Sequence, residues 1–202
     1  MSQTNAQQLA SKEATTKEEI VSFDSEPLIL VDSNDQETGT LDKAACHDGD
    51  GLLHRAFSLF IFNDDGELLV QQRAPGKRLW PGFWSNSCCS HPRAGEAMDL
   101  AITRRLEQEL GMVATLNFAY KFEYQASFGD SGSEHELCSV YLGSSESTPR
   151  RNKTEIEAYR WITRAALDSW LTETPEQFTP WFKLEWQTLQ ADHSEMLNRL
   201  LA

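Results

Sequence analysis

A mixed β-sheet core flanked by helices, in the α/β or α+β class, is the fold this sequence predicts. Three observations carry that reading. Residues 57–63 and 67–73 read as the two arms of a hairpin on either side of Asp65-Gly66, the residues a tight turn favours. Residues 118–124 and 134–142 read as two further strands joined by a Gly/Ser turn. Helical periodicity is interspersed with these strands, and adjacent hairpins favour a mixed over an all-parallel sheet.

In chain order, residues 1–25 are rich in Gln, Ser, Thr, Lys and Glu, so they are expected to form a polar, flexible tail ahead of a single domain at 26–202. A first strand is expected over 27–32, then a turn over 34–39 and a short polar segment carrying Lys43, His47 and His54. After the hairpin, residues 75–92 form a long connection containing Trp80, Trp84, Asn86, Cys88, Cys89 and His91, and connections of that length tend to be functional. Met98, Ile102, Leu106 and Leu110 recur at helical spacing over 96–110, and Gly111 follows where helices end. Phe118, Tyr120, Phe122 and Tyr124 alternate with Ala119, Lys121 and Glu123, which predicts a strand with an aromatic face. A short strand through Trp161, a helix opening near Thr163 and a C-terminal helix from about Pro180 complete the chain, and no internal repeat is present.

Composition bounds the function. A chain of 202 residues with 40% hydrophobic content can bury one core, and it has neither an apolar run long enough to span a bilayer nor a secretory signal at its start. A cytoplasmic protein is expected, with Cys46, Cys88, Cys89 and Cys138 as reduced thiols. The net charge of -13 argues against nucleic-acid or anionic-membrane partners. No heptad pattern demands an oligomer, so a monomer or weak dimer is expected.

His47, His54 and His91 fall in the loop-rich first half, while Glu134 and Glu136 are two apart on a strand and point to one face. These five residues could hold a divalent ion such as Zn²⁺, Mn²⁺ or Mg²⁺. They could equally be hydrogen-bonded histidines beside a solvated strand face. Cys89 could act as a base or nucleophile if a nearby cation or metal activates it; a buried inert thiol is the alternative.

The helix over 96–110 carries Arg104-Arg-Leu-Glu-Gln-Glu-Leu-Gly-Met112 and resembles a degraded Nudix box. The face formed by positions 105, 108 and 109 reads Arg105, Gln108 and Glu109, so two of three carboxylates expected in a hydrolase are missing. The runs beginning at Gly39, Gln72, Trp80, Asn86, Phe122, Glu134 and Tyr159, with His47 and His54 between, resemble type I isopentenyl-diphosphate isomerases in order, over roughly residues 27–185.

That resemblance implies a Nudix-like fold and an isomerase interconverting isopentenyl and dimethylallyl diphosphate through a tertiary carbocation. It implies that His47, His54, His91, Glu134 and Glu136 hold one divalent metal. Cys89 and Glu136, helped by Tyr124, would transfer protons, and Trp161 would stabilise the carbocation through its π face. Glu109 and Cys89 would meet a Mg²⁺ bound with the substrate, and Lys43, Arg73, Lys77 and Arg105 would bind the diphosphate. A diphosphohydrolase and a non-catalytic Nudix-fold sensor are the competing readings. The first needs an intact acidic helix face; the second needs no pair of proton-transfer groups.

Overall fold

The computed structural model describes residues 19–201. Thus residues 1–18 of the expected tail lie outside the described residues. The rest of that segment is docked: Val21 is buried, and its carbonyl accepts a hydrogen bond of 2.7 Å from Arg105 Nη1.

Strand β3 (His54–Phe62) is the axis of the molecule, buried along nearly its whole length. Its sequence alternates core-bound side chains between the two sheet faces, so both faces must be covered. One edge pairs in parallel with β8 (Ser133–Ser144) over its full length, from His54 opposite Glu136 to Phe62 opposite Ser144. The other edge meets β1 (Pro27–Val31) at Leu30, then the short β6 (Cys88–Ser90), then β4 (Leu68–Arg73) at Phe62, all antiparallel. Outside these lie β2 (Glu37–Asp42) on β1, β5 (Trp84–Ser85) and β9 (Ile156–Ile162) on β4, and β7 (Thr115–Ser127) on β8.

The helices close the layers. Helix α1 (Lys43–Cys46) is a single turn after β2. Helix α2 (Met98–Leu110) puts Ala101, Ile102, Leu106 and Leu110 against Phe57, Leu59 and Ile61. It stops where Gly111 takes a left-handed φ of 59° and its N–H bonds Glu107 O, the helix ending expected from sequence. On the opposite face, α3 (Arg164–Glu173), α4 (Pro180–Asp192) and α5 (Ser194–Leu200) cover Ala56, Phe60 and Phe62. Thr163 caps α3 by accepting from Ala166 N. Phe182 of α4 is fully buried and stacks on Phe60; burial of such a ring is worth about 3 kcal/mol.

The expected mixed sheet with flanking helices is therefore present, with two differences of consequence. The long connection over 75–92 contains β5 and β6, and β6 is a strand of the central sheet. Its run of small polar and thiol residues has no apolar alternation to announce it. The aromatic row on β7 is broken by a bulge between Phe118 and Tyr120. Tyr120, Phe122 and Tyr124 stay ring to ring on the α4 side, whereas Phe118 turns to Tyr141 on the other.

One α4 residue is anomalous. Glu185 is fully buried, with Oε1 3.7 Å from Cys138 Sγ and Oε2 without a hydrogen-bond partner. Burial pushes its carboxyl up to about 8, against the pull of hydrogen bonding from Ser58 and Cys138. A folded-state value above the unfolded one makes this acid progressively destabilising as pH rises from the ordinary carboxylate range towards 8. Glu185→Gln is therefore expected to raise Tm at pH 8, by a stabilisation on the order of 2–4 kcal/mol. The gain should vanish near pH 4.5, the ordinary carboxylate value. Calorimetric scans across that range that show a pH-independent difference would refute this assignment.

Candidate active site and metal centre

Strand register assembles the site. His54 opens β3 opposite Glu136 on β8, and Tyr124 on β7 is the cross-strand partner of Glu136. Glu134, two residues earlier, shares the face of Glu136. Across β3, Cys89 pairs with Ser58 and Ser90 with Phe57, so the antiparallel run of β6 carries His91 towards His54. His47 follows the single turn of α1, and its carbonyl accepts from Ser133 N at 3.0 Å. Gly132 makes that approach close: its φ is 127°, and a Cβ there would fall 2.1 Å from His47 O.

Ligand atoms of His47, His54, His91 and Glu134 converge within 4.8 Å of one another. Glu136 lies beside them, its Oε1 2.8 Å from His91 Nε2 and 3.8 Å from His54 Nε2. The donor set fits a divalent cation. His47 Nδ1 and His54 Nδ1 are each held by a backbone carbonyl, Lys43 O at 2.6 Å and Leu52 O at 2.7 Å, which leaves both Nε2 atoms for a ligand. His54 Nε2 and His91 Nδ1 are buried with no hydrogen-bond partner, a cost that a bound cation or an approaching donor would offset.

Electrostatics agree with the geometry. Burial, with neighbouring His47, holds His54 down at about 4, and His91 is likewise held well below the usual imidazole range by burial and by His54. Both are therefore neutral, as metal ligation requires. Glu134 is drawn down to about 2: burial opposes its charge, but His47 beside it prevails. Glu136 goes the other way, well above the carboxylate range, through burial and the charge of Glu134. Two carboxylates two residues apart are thus shifted in opposite directions.

Cys89, Tyr124, Glu134 and Glu136 line a cavity of about 710 Å³. Tyr124 donates to Glu136 Oε2 at 2.7 Å, and burial with the Glu136 charge keeps the phenol protonated well above its usual range. Burial likewise raises the Cys89 thiol to about 12, with Arg73 pulling against it. Cys46, Cys88 and Cys138 are fully enclosed, as expected of inert thiols. Lys43, Arg73, Lys77 and Arg105, the four cations singled out from sequence, line the same cavity. Arg73 reaches in where a bulge shifts β4 against β9, and it is tied to Leu79 O at 2.9 Å.

Two residues stand apart from their expected places. Trp161 packs with Phe57, Leu59 and α2, on the face of the sheet remote from Tyr124 and Cys138. The tryptophan in the cavity is Trp181 of α4, 2% exposed, with its ring 6.2 Å from Tyr124 and 5.3 Å from the Arg73 guanidinium. Local sequence gave no signal for it, because Trp181, Phe182, Trp186 and Leu189 read as an ordinary core stripe. Glu109 is buried in α2, and Arg105 occupies its Oε1 twice, through Nε at 2.9 Å and Nη2 at 2.6 Å. It does not line the cavity, although Arg105 does.

A mixed sheet covered by helices on both faces, with a candidate ion site at the start of its central strand, is the setting in which residues 52–182 match the NUDIX domain family. The chain belongs to that family. Within it the chain belongs to the isopentenyl-diphosphate Delta-isomerases. The isopentenyl-diphosphate Delta-isomerase 1 of Photorhabdus laumondii is 42% identical over 174 residues, covering 85% of this chain and 99% of the relative. The isopentenyl-diphosphate Delta-isomerase of Serratia proteamaculans is also 42% identical, covering 88% of this chain and 98% of its own length. A crystal structure from Deinococcus radiodurans shares the fold, with a TM-score of 0.63 at 21% identity over 88% of this chain and all of that one. Among the described residues no helix is long and apolar enough to cross a membrane.

The cluster predicts about one tightly held divalent ion per chain. Metal analysis should show its loss on replacing His47, His54 or His91 by Ala, and its retention in His135→Ala and His193→Ala, whose rings lie outside the cluster. Full retention in a His47/His91 double variant would exclude this centre.

Proposed function

We propose that the cavity interconverts isopentenyl diphosphate and dimethylallyl diphosphate, moving a carbon-carbon double bond by protonation at one carbon and deprotonation at another. The observation that carries the reading is the pairing of two candidate proton-transfer stations in one cavity that cations also line. Cys89 lies on one edge of β3 and the Glu136–Tyr124 pair beyond the other, and both open to the same space.

An unactivated alkene is a poor base, so protonating it needs a strong local acid and stabilisation of the tertiary carbocation that forms. Glu136, its carboxyl pushed up by burial and hydrogen-bonded to Tyr124, would deliver the proton where the alkene would lie. Cys89 would exchange a proton on the opposite side. Because the isomerisation is reversible, the acid of one direction is the base of the other. The face of Trp181 supplies π density to the cationic intermediate, the role first expected of Trp161. Lys43, Arg73, Lys77 and Arg105 hold the diphosphate by charge-assisted hydrogen bonds, against the protein's overall negative field.

His47, His54, His91 and Glu134, with Glu136 beside them, would hold a divalent ion, Mg²⁺, Mn²⁺ or Zn²⁺, which supplies charge that tunes the Glu136 carboxyl. A second Mg²⁺ would enter with the diphosphate, with Glu109 and Cys89 as its nearest protein groups. Glu109 is available for this only as Arg105 turns from it to the phosphates. The same pairing argues against hydrolysis: a helix face that presents Arg105 against Glu109 gathers no cluster of metal ions to activate water. The substrate is a small-molecule diphosphate, and the protein would act in the cytoplasm as a monomer or weak dimer.

Two expected outcomes test this. Purified protein given isopentenyl diphosphate and Mg²⁺ should form the dimethylallyl isomer and release no phosphate. Cys89→Ala should lower kcat by about 10²-fold or more with metal content intact, while Cys88→Ala, on the α2 side, keeps most activity. Phosphate release without isomer would overturn the assignment. In the second test, Trp181→Leu should reduce kcat by about tenfold or more, and Trp161→Leu should act on Tm alone. Equal kinetic losses in the two variants would remove Trp181 from this role.

A further inference from the structure

Glu155 has no part in the reading above, yet it sits among the cations of the cavity. It precedes β9, and its backbone is fixed at both ends: the N–H donates to Asn152 O at 3.0 Å and the carbonyl accepts from Ala74 N at 2.9 Å. The residue is 3% exposed, and its carboxylate lines the cavity. There it is ion-paired with Lys77 Nζ and lies 3.3 Å from Arg105 Nη2. Lys43, a third cation of this group, interacts with it electrostatically. Arg105 is thus held between two buried carboxylates, Glu109 on its own helix and Glu155 just before β9.

A pocket meant only to attract an anion has no use for a buried carboxylate among its cations. Glu155 costs such a pocket twice. It occupies donors of Lys77 and Arg105 that phosphoryl oxygens would use, and it repels those oxygens at short range where solvent screens little. Both costs grow with the negative charge of the ligand. A metal-free diphosphate carries its full charge into the pocket, whereas pairing with Mg²⁺ cancels much of it and organises the phosphoryl oxygens.

We propose that Glu155 is a specificity-determining counter-charge, which sets the cation-lined cavity to accept a magnesium-paired diphosphate in preference to a metal-free one. The proposal rests on reading this cavity as a diphosphate site. Glu155 acts here through charge and through its hold on Lys77 and Arg105; it takes no part in proton transfer. The selection keeps the pocket from filling with metal-free diphosphates, which would bind without bringing the ion the site is built to receive.

The test is calorimetric titration of the metal-loaded protein with inorganic pyrophosphate, with saturating Mg²⁺ and with none added. In Glu155→Gln, affinity for the metal-free form should rise about tenfold or more, while that for the magnesium form changes by about threefold or less. Lys77→Met removes a cation while leaving Glu155 in place, so it should weaken the metal-free form more than the magnesium form and move the ratio the opposite way. That variant decides the matter if Glu155→Gln fails to fold. If Glu155→Gln weakened both forms alike, Glu155 would merely position Lys77 and Arg105, and the proposal would fail. It would fail too if neither variant changed the ratio. Wild-type protein that binds pyrophosphate in neither form would overturn the diphosphate reading itself, whereas wild-type binding with an unmoved ratio would overturn only the role of Glu155.

Discussion

Everything in this molecule hangs on the register of β3. Its full-length parallel pairing with β8 sets His54 against Glu136, and a slip of one residue would turn every side chain of the strand to the opposite face. The slip is resisted because both faces are committed: Phe57, Leu59 and Ile61 to α2, Ala56, Phe60 and Phe62 to α4 and its neighbours. Hydrophobic burial on two sides therefore positions polar chemistry at the strand's beginning. The short β6 on the opposite edge adds Cys89 and His91 at fixed heights, and the cross-strand pair of β7 and β8 adds Tyr124.

Burial also explains how one small cavity holds groups in unlike states. Desolvation alone would neutralise every acid and base there. The partners decide the outcome: His47 draws Glu134 down, while the charge of Glu134 adds to burial in pushing Glu136 up. Arg105, Lys77 and Lys43 remain inside a strongly acidic protein because Glu109 and Glu155 stand among them. Cations, carboxyls, a thiol and the Trp181 ring thus share one cavity.

Much of this was legible in the sequence, for definite reasons. The hairpin turn at Asp65-Gly66, the Gly111 helix stop and the alternation in β7 are local signals, and local signals survive without tertiary context. The grouping of His47, His54, His91 and Glu134 was reached from residue types and from resemblance, since no spacing rule unites residues on four separate elements. Strand β6 was missed because pairing with β3, and not its own composition, makes it a strand. The tryptophan assignment went to Trp161 because its neighbouring motif is the more conspicuous; only the packing shows that Trp161 and Trp181 sit on opposite faces of the sheet. Glu155 gave no signal at all, being one acid in a polar loop until the fold sets it between Lys77 and Arg105.

The dispersal of the candidate metal ligands over the chain has a consequence for the protein's life as a folded object. His47 stands after α1, His54 on β3, His91 just past β6 and Glu134 on β8, so a bound ion would fasten segments distant along the chain to one point, as a covalent cross-link does. Cross-links between distant segments restrict the unfolded chain most, and a ligand that binds only the native state withdraws molecules from unfolding in proportion to its occupancy. The supply of metal ions would then govern how long each copy resists proteolysis as well as how fast it turns over substrate. A cell short of the ion would lose the protein itself, and not merely its activity.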